Sequence, residues 1–298
     1  MNALLQRILA GKPVITDGAW GTELQKQGLE TGRAPDAWNL EHPDRVQGLA
    51  GAYVDAGSRV ILTNTFQANR ITLARHGLAG QVAEINRAGV EISRRAAGER
   101  ACVFATMGPS GKLLLTGEVT EADLREAFAE QAQALAAAGA DAIVVETMSD
   151  LEEARLAVAA ARATGLPVVA CMAFDSGKNN DRTMMGTTLQ QAAAALTAEG
   201  ADVVGANCGQ GVERFLEVYR GLASATDRPI WLKPNAGSPE LTESGTAYRT
   251  TAEDFARAAS ALCAAGAAFV GGCCGTTPAF IRALVEMQGN GSAPIPCA

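Results

Sequence analysis

Three cysteines carry most of the chemistry legible in this sequence. Cys208 lies in "GANCGQG", while Cys273 and Cys274 are adjacent in "GGCCGTTP". Each sits in a glycine-containing turn after a short apolar run. Three thiolates around one cation, with a fourth position open, describe a catalytic zinc site; a structural zinc is closed by four ligands. Three negative charges against two positive ones make such a metal a weak Lewis acid toward water. It can still ionise an incoming thiol and leave that sulfur nucleophilic. The favoured chemistry is alkyl transfer to a thiol, with hydrolysis disfavoured. Two alternatives use the same residues: a strained vicinal disulfide between Cys273 and Cys274, and inert buried thiols.

A thiol substrate needs further handles. Glu146, after "AIVV", can accept hydrogen bonds from an α-ammonium group, or it can pair with a loop Arg or Lys. Asp17, in "DGAWGT", can act through its carboxylate or order a turn that exposes the N–H groups of Gly18 and Ala19 to a carboxylate. The competing reading for Asp17 is an Asx-turn. Asn64 and Asn235 stand at similar places, either toward a substrate or as loop caps. No side-chain general base is evident, so no catalytic residue is assigned beyond the metal ligands. His42 precedes Pro43 and His76 lies in "LARHGLAG"; both read as structural or surface residues.

The elements that must position these residues alternate short β-branched runs with Ala-rich helical stretches. The strands begin "PVIT" (Pro13), "RVILT" (Arg59), "CVFAT" (Cys102), "AIVVE" (Ala142), "PVVACM" (Pro167), "DVVGA" (Asp202), "PIWLK" (Pro229) and "AFVGG" (Ala268). Eight such units imply an α/β fold of the (β/α)8 TIM barrel type, a single domain over residues 1–298. Residues 1–12 read as an N-terminal helix, with Leu4–Gly11 as a plug or first cap, and residues 289–298 as a tail. A barrel carries its chemistry where strands end and βα loops begin. Cys208 ends the sixth strand and the Cys273–Cys274 pair the eighth, two positions apart in a closed barrel, so the three sulfurs can meet at its mouth. The loop "FDSGKNNDRTMMGTT" after the fifth strand is long and polar, a lid, a docking surface or a solvated loop.

Composition bounds the rest. The 298 residues are 48% hydrophobic and 19% charged, enough for a large core and too apolar for disorder. A net charge of −7 without a basic cluster excludes an electrostatic footprint for nucleic acid. No apolar run approaches membrane-spanning length, and the first residues do not read as a signal peptide, so a cytoplasmic protein is expected. Seven cysteines are too sparse and uneven for a secreted disulfide framework. Cys102, Cys171 and Cys263 read as small buried hydrophobes and Cys297 as an incidental thiol of the tail.

The set "DGAWGT", "ILTNTFQANR", "VVETMSD", "GANCGQG", "KPNAGSP" and "GGCCGTTP" resembles the homocysteine S-methyltransferase family, in the same order and over essentially the whole chain. "TNTFQANRITLARHGL", "MGPSGKLL" and "PNAGSP" are most similar to the homocysteine-binding module of its cobalamin-dependent methionine synthase branch. The resemblance implies a (β/α)8 barrel that makes methionine from homocysteine, with Cys208, Cys273 and Cys274 as ligands of Zn2+. It also implies that Asp17, Gly18 and Glu146 hold the amino-acid part of homocysteine. The betaine-using branch is similar to "TFTFYA" where this chain has "TNTFQA", so Gln67 replaces an aromatic wall that a quaternary ammonium donor needs. No part of the 298 residues is left for a cobalamin domain. The expected methyl donor is therefore methylcobalamin on a separate corrinoid protein, or a free sulfonium such as S-methylmethionine or S-adenosylmethionine. Two rival expectations are a zinc-binding subunit that presents a thiol without turnover, and a methyltransferase for another thiol or selenol.

Overall fold

The computed structural model describes residues 2–238, 240–242 and 245–289. Seven parallel strands come first: β1 (Val14–Ile15), β2 (Val60–Ile61), β3 (Cys102–Met107), β4 (Ala142–Met148), β5 (Val168–Met172), β6 (Val203–Gly211) and β7 (Ile230–Asn235). An antiparallel hairpin follows, β8 (Glu240–Thr242) and β9 (Gly245–Ala247), and then the eighth barrel strand, β10 (Phe269–Val270). The neighbours run β1-β10-β7-β6-β5-β4-β3-β2. A parallel bridge between Thr16 and Val60 brings β1 back to β2 and closes the ring. All eight expected strands are present and in the expected order. The hairpin is an addition: its strands are too short to read from apolar alternation within "PELTESGTAY".

Each strand is a nearly continuous apolar run because both its faces are covered. Alternation still decides which residues point inward. Val14, Phe104, Val144, Val169, Val203, Trp231 and Phe269 form one cluster inside the barrel, while Ile15, Val103, Val145, Ala170, Val204 and Leu232 belong to the layer beneath the helices. The rings of Phe104, Trp231 and Phe269 fill the interior, with centroids 5.0 Å apart for the last pair. The helix Ala3–Leu9 adds the fully buried Leu5 and Ile8 to this cluster. Helices that lead back to strands end at Gly57, Gly139, Gly200 and Gly266, all with positive φ, as the "AG" and "EG" endings imply. The long loop after β5 is tied by antiparallel bridges from Arg182 to Ser176 and to Thr188. No helix among the described residues is long and apolar enough to cross a membrane. Cys297 and most of the expected tail lie outside the described residues.

Candidate functional site

The alternation that puts Phe104, Val144 and Trp231 inside the barrel puts Thr106, Glu146 and Lys233 inside too, two residues further toward the C-terminal mouth. Asn207 stands likewise four residues beyond Val203. All four are buried, at 2%, 7%, 2% and 1% exposure for Thr106, Glu146, Lys233 and Asn207. Polar side chains at such depth are held by hydrogen bonds or charges. The Thr106 hydroxyl donates to Glu146 Oε1, and Asn207 Nδ2 lies 3.3 Å from Oε2. Asn207 Oδ1 accepts the Thr147 N–H at 2.7 Å. Burial raises the Glu146 pKa against the opposing pull of the Lys233 charge and the Thr106 hydrogen bond.

The three cysteines converge above this layer. β6 shifts register against β7 between Asn207 and Gly211, and Cys208 takes a left-handed φ of 61°. That conformation is uncommon outside glycine and swings the thiol toward the axis. The turn after β10 is fixed by backbone bonds: Cys273 N–H donates to Pro234 O (2.7 Å), and Cys274 O accepts from Ala236 N–H (3.0 Å). The Thr276 hydroxyl donates to Cys273 O at 2.7 Å. Gly275 has φ 82°, and the Tyr248 ring lies where a Cβ would stand, so this position needs glycine on two counts. The sulfurs of Cys208, Cys273 and Cys274 all lie within 4.8 Å of one another, with Cys208 and Cys274 3.9 Å apart.

Three thiols at this spacing favour one shared negative charge. Hydrogen bonds from Cys273 and Cys274 pull the Cys208 thiol down to about 3, with help from the Gly209 N–H and the Asn235 side chain. Bonding to Cys208 pushes Cys274 up to about 12, and the same partner also raises Cys273 well above its ordinary value. Asn235 Oδ1 is buried without a partner on the side chain that reaches Cys208. Three soft sulfur donors and an orphaned carbonyl oxygen fit a thiophilic divalent cation, and zinc is the metal that such a donor set suits.

The sulfurs open on a cavity of about 380 Å³ whose walls include Gly18, Ala19, Trp20, Asn64, Phe66, Gln67, Glu146 and Lys233. A larger groove of about 660 Å³ lies at the opposite end, between Leu9, Lys12, Tyr219 and Arg228, and contains no comparable cluster. Of the residues expected at the site, Glu146, Gly18, Ala19 and Asn64 line the cavity with the cysteines, and Asp17 and Asn235 stand behind its wall. Asp17 is fully buried and forms neither an Asx-turn nor an open carboxylate. It pairs with the Lys233 ammonium and accepts from Trp20 Nε1 and Leu62 N–H, each at 2.7 Å. The Ala19 N–H is engaged by Thr276, 3.1 Å from its hydroxyl and 3.3 Å from its carbonyl. Asn64 Nδ2 bonds to Pro35 O and Asn39 Oδ1, which fixes the loop after β2. His42 packs edge-on against Trp38, away from the cavity. Lys233, Asn207, Thr106 and Asp36 were not singled out from the sequence; a lysine closing the apolar run "PIWLK" is the one signal that could have found Lys233.

A family model described as homocysteine S-methyltransferase matches residues 14–288. Methionine synthase of Mycobacterium tuberculosis is 32% identical over 315 residues, 99% of this chain and 26% of that protein. The chain thus spans about a quarter of the length of that relative. Betaine–homocysteine S-methyltransferase 1 of Mus musculus is 30% identical over 312 residues, 96% of this chain and 74% of that enzyme. Among solved structures, the homocysteine methyltransferase MmuM of Escherichia coli in its oxidized form has the same fold, with TM-score 0.80 at 24% identity over 96% of this chain and 100% of that one. The chain belongs to the homocysteine S-methyltransferase family.

Proposed function

We propose that this chain is an S-methyltransferase that moves a methyl group onto the thiol of homocysteine, with Cys208, Cys273 and Cys274 holding a zinc ion. The observation that carries the reading is the convergence of three sulfurs, within 4.8 Å of one another, on the wall of a cavity at the barrel mouth. When bound there, zinc would supply the charge that keeps an acceptor thiol ionised at neutral pH. The protein does the rest by placement. The three cysteines fix where the acceptor sulfur sits, and Glu146 and Lys233 present charges of opposite sign to its polar end. Trp20 and Phe66 line the cavity with apolar surface that limits competing water. The acceptor sulfur attacks the donor methyl carbon in line as the bond to the leaving group breaks and the leaving group takes the electron pair. Alignment, not a side-chain base, is the main catalytic contribution of the chain.

The donor is either methylcobalamin held by a corrinoid domain or protein, or a free sulfonium such as S-methylmethionine. Betaine is the weakest candidate, because Gln67 lines the cavity where an aromatic cage wall would be needed, and its N–H is tied to Asp36 Oδ1 at 2.9 Å. The test is a panel of methylcobalamin, S-methylmethionine, S-adenosylmethionine and betaine with zinc-loaded protein and homocysteine. Methionine formed from a sulfonium or from methylcobalamin supports the reading. No product from any donor would favour a thiol-presenting subunit instead.

A further inference from the structure

Three cations gather at the N-terminal end of the barrel, opposite the sulfurs. Lys12, Arg59 and Arg228 stand just before β1, β2 and β7, and the strands β7, β10, β1 and β2 are consecutive around the ring. Lys12 and Arg228 line the groove of about 660 Å³ together with Leu9, Tyr219 and Ile230. Arg59 lies behind Lys12, its Nη1 3.0 Å from where a Cβ on Gly11 would stand. The Nε atoms of Arg59 and Arg228 are buried without a hydrogen-bond partner. A buried charged donor left in this state costs stability, so its position calls for a partner. Burial alone lowers the Arg59 pKa. Lys12 is exposed and makes no hydrogen bond or ion pair among the described residues. The counter-ion of Arg228 among those residues is Asp227, 3.9 Å away, and that carboxylate is 93% exposed and screened by solvent.

One alternative is that these cations serve the negative C-terminal ends of the helices that border the groove. Those ends are already satisfied. Ile8 and Leu9 of the helix Ala3–Leu9 give their carbonyls to backbone N–H groups. So do Arg220 and Leu222 of the helix Phe215–Ala223, and Leu262 and Cys263 of the helix Ala252–Ala265. The Tyr219 hydroxyl borders the same groove, 2.8 Å from where a Cβ on Gly266 would stand. With Leu9 and Ile230, the Tyr219 ring supplies apolar wall between the charges.

Two cations against one solvated carboxylate favour a ligand with two negative charges. The planar fork of Arg228 matches two oxygens of a phosphate, and the Lys12 ammonium can take a third as a point charge. The volume exceeds what an inorganic ion needs and falls within the range of organic ligand pockets. We propose that this groove is a second binding site, for an organic phosphate held by Lys12 and Arg228 with its carbon body against Tyr219, Leu9 and Ile230. No residue of the sulfur-lined mouth takes part, so the site stands apart from the methyl-transfer reading.

Calorimetric titration of the full chain at low ionic strength tests it, with phenyl phosphate, inorganic phosphate, benzoate and benzylamine as probes. Phenyl phosphate should saturate one site. Inorganic phosphate lacks the carbon body and benzoate the second charge, so each should bind about tenfold or more weakly. Benzylamine should not bind. Arg228→Gln and Lys12→Gln should each weaken phenyl phosphate by about tenfold, as the loss of one charge-assisted hydrogen bond implies. Lys12 is exposed, so its variant preserves the test if Arg228→Gln misfolds. No saturable binding of phenyl phosphate to wild type would overturn the proposal. So would an affinity unchanged in both variants, which would place the ion elsewhere, or benzylamine binding as tightly as phenyl phosphate. Equal affinity for inorganic phosphate would overturn the role of the apolar wall, and equal affinity for benzoate the choice of phosphate.

Discussion

At the N-terminal end of the barrel, Phe104, Trp231 and Phe269 fill the interior and Leu5 and Ile8 lie against them. Two residues further along the same strands, the interior holds Thr106 and Lys233, with Glu146 beside them. The first layer is stabilised by removing apolar surface from water, at about 25 cal/mol per Å². The second layer costs stability unless every charge finds a partner, because a buried ion loses several kcal/mol of solvation. Asp17 is compensated by Lys233, and Glu146 by Thr106, Asn207 and the nearby ammonium. Above them three thiols crowd together with one charge to share. A well-packed apolar layer would be at least as stable as this arrangement, so the difference between the two ends marks the mouth as the end shaped by chemistry.

Substitutions at the two ends should therefore separate activity from stability. The largest effect is expected for Cys273→Ser, which removes one of three sulfurs. Metal content by mass spectrometry should fall below one zinc per chain, and methyl transfer should drop by more than about a hundredfold, beyond the loss typical of an outer partner. Unfolding in urea should change little by comparison. At the other end, Ile8→Ala should lower stability by about 2–5 kcal/mol through lost burial and a residual cavity. Its zinc content should stay at the wild-type level. Loss of zinc from Ile8→Ala without unfolding would break the comparison.

Asp36 sharpens it at the rim of the mouth. Burial pushes its carboxyl from 3.8 to about 7, against the Gln67 N–H that favours the charged form. Its second oxygen is buried without a partner. The folded protein therefore keeps the Asp36 proton between pH 3.8 and about 7, where the unfolded chain has released it. Wild-type stability should fall as pH rises through this window. Asp36→Asn has no proton to lose and should be more stable than wild type at pH 8 relative to pH 5, by about 1–3 kcal/mol in chemical denaturation. No pH-dependent difference between the two proteins would show that Asp36 is already ionised in the folded state at pH 5. The smallest effect belongs to the outer surface. The Arg155–Glu152 pair is 46% and 56% exposed, so Glu152→Gln should change stability by less than about 0.5 kcal/mol.

The barrel was legible in the sequence because each strand is an apolar run bounded by turn residues, and because Gly57, Gly139, Gly200 and Gly266 punctuate the helices before them. The sulfur cluster was legible for a related reason: once strands are counted, a residue at a strand end has a known place around the ring. What the count does not reveal is how side chains at the mouth pair. Asp17 and Glu146 looked like an open receptor because the sequence places both at strand ends. Whether a third strand end contributes a counter-charge depends on the inward parity of Lys233, which follows from Trp231 two residues earlier. The engagement of the Ala19 N–H by Thr276 joins residues 257 apart in sequence, which no local pattern encodes. The hairpin β8–β9, which leads the chain to Tyr248 over Gly275, was hidden by the brevity of its strands.

X-ray absorption at the zinc edge, on protein loaded with one equivalent of zinc, tests the central claim most directly. Cys208, Cys273 and Cys274 acting together should give three sulfur neighbours for the metal, rising to four when homocysteine is added. A sulfur count that stays unchanged on adding homocysteine, or zinc that binds with fewer than three sulfurs, would contradict the account.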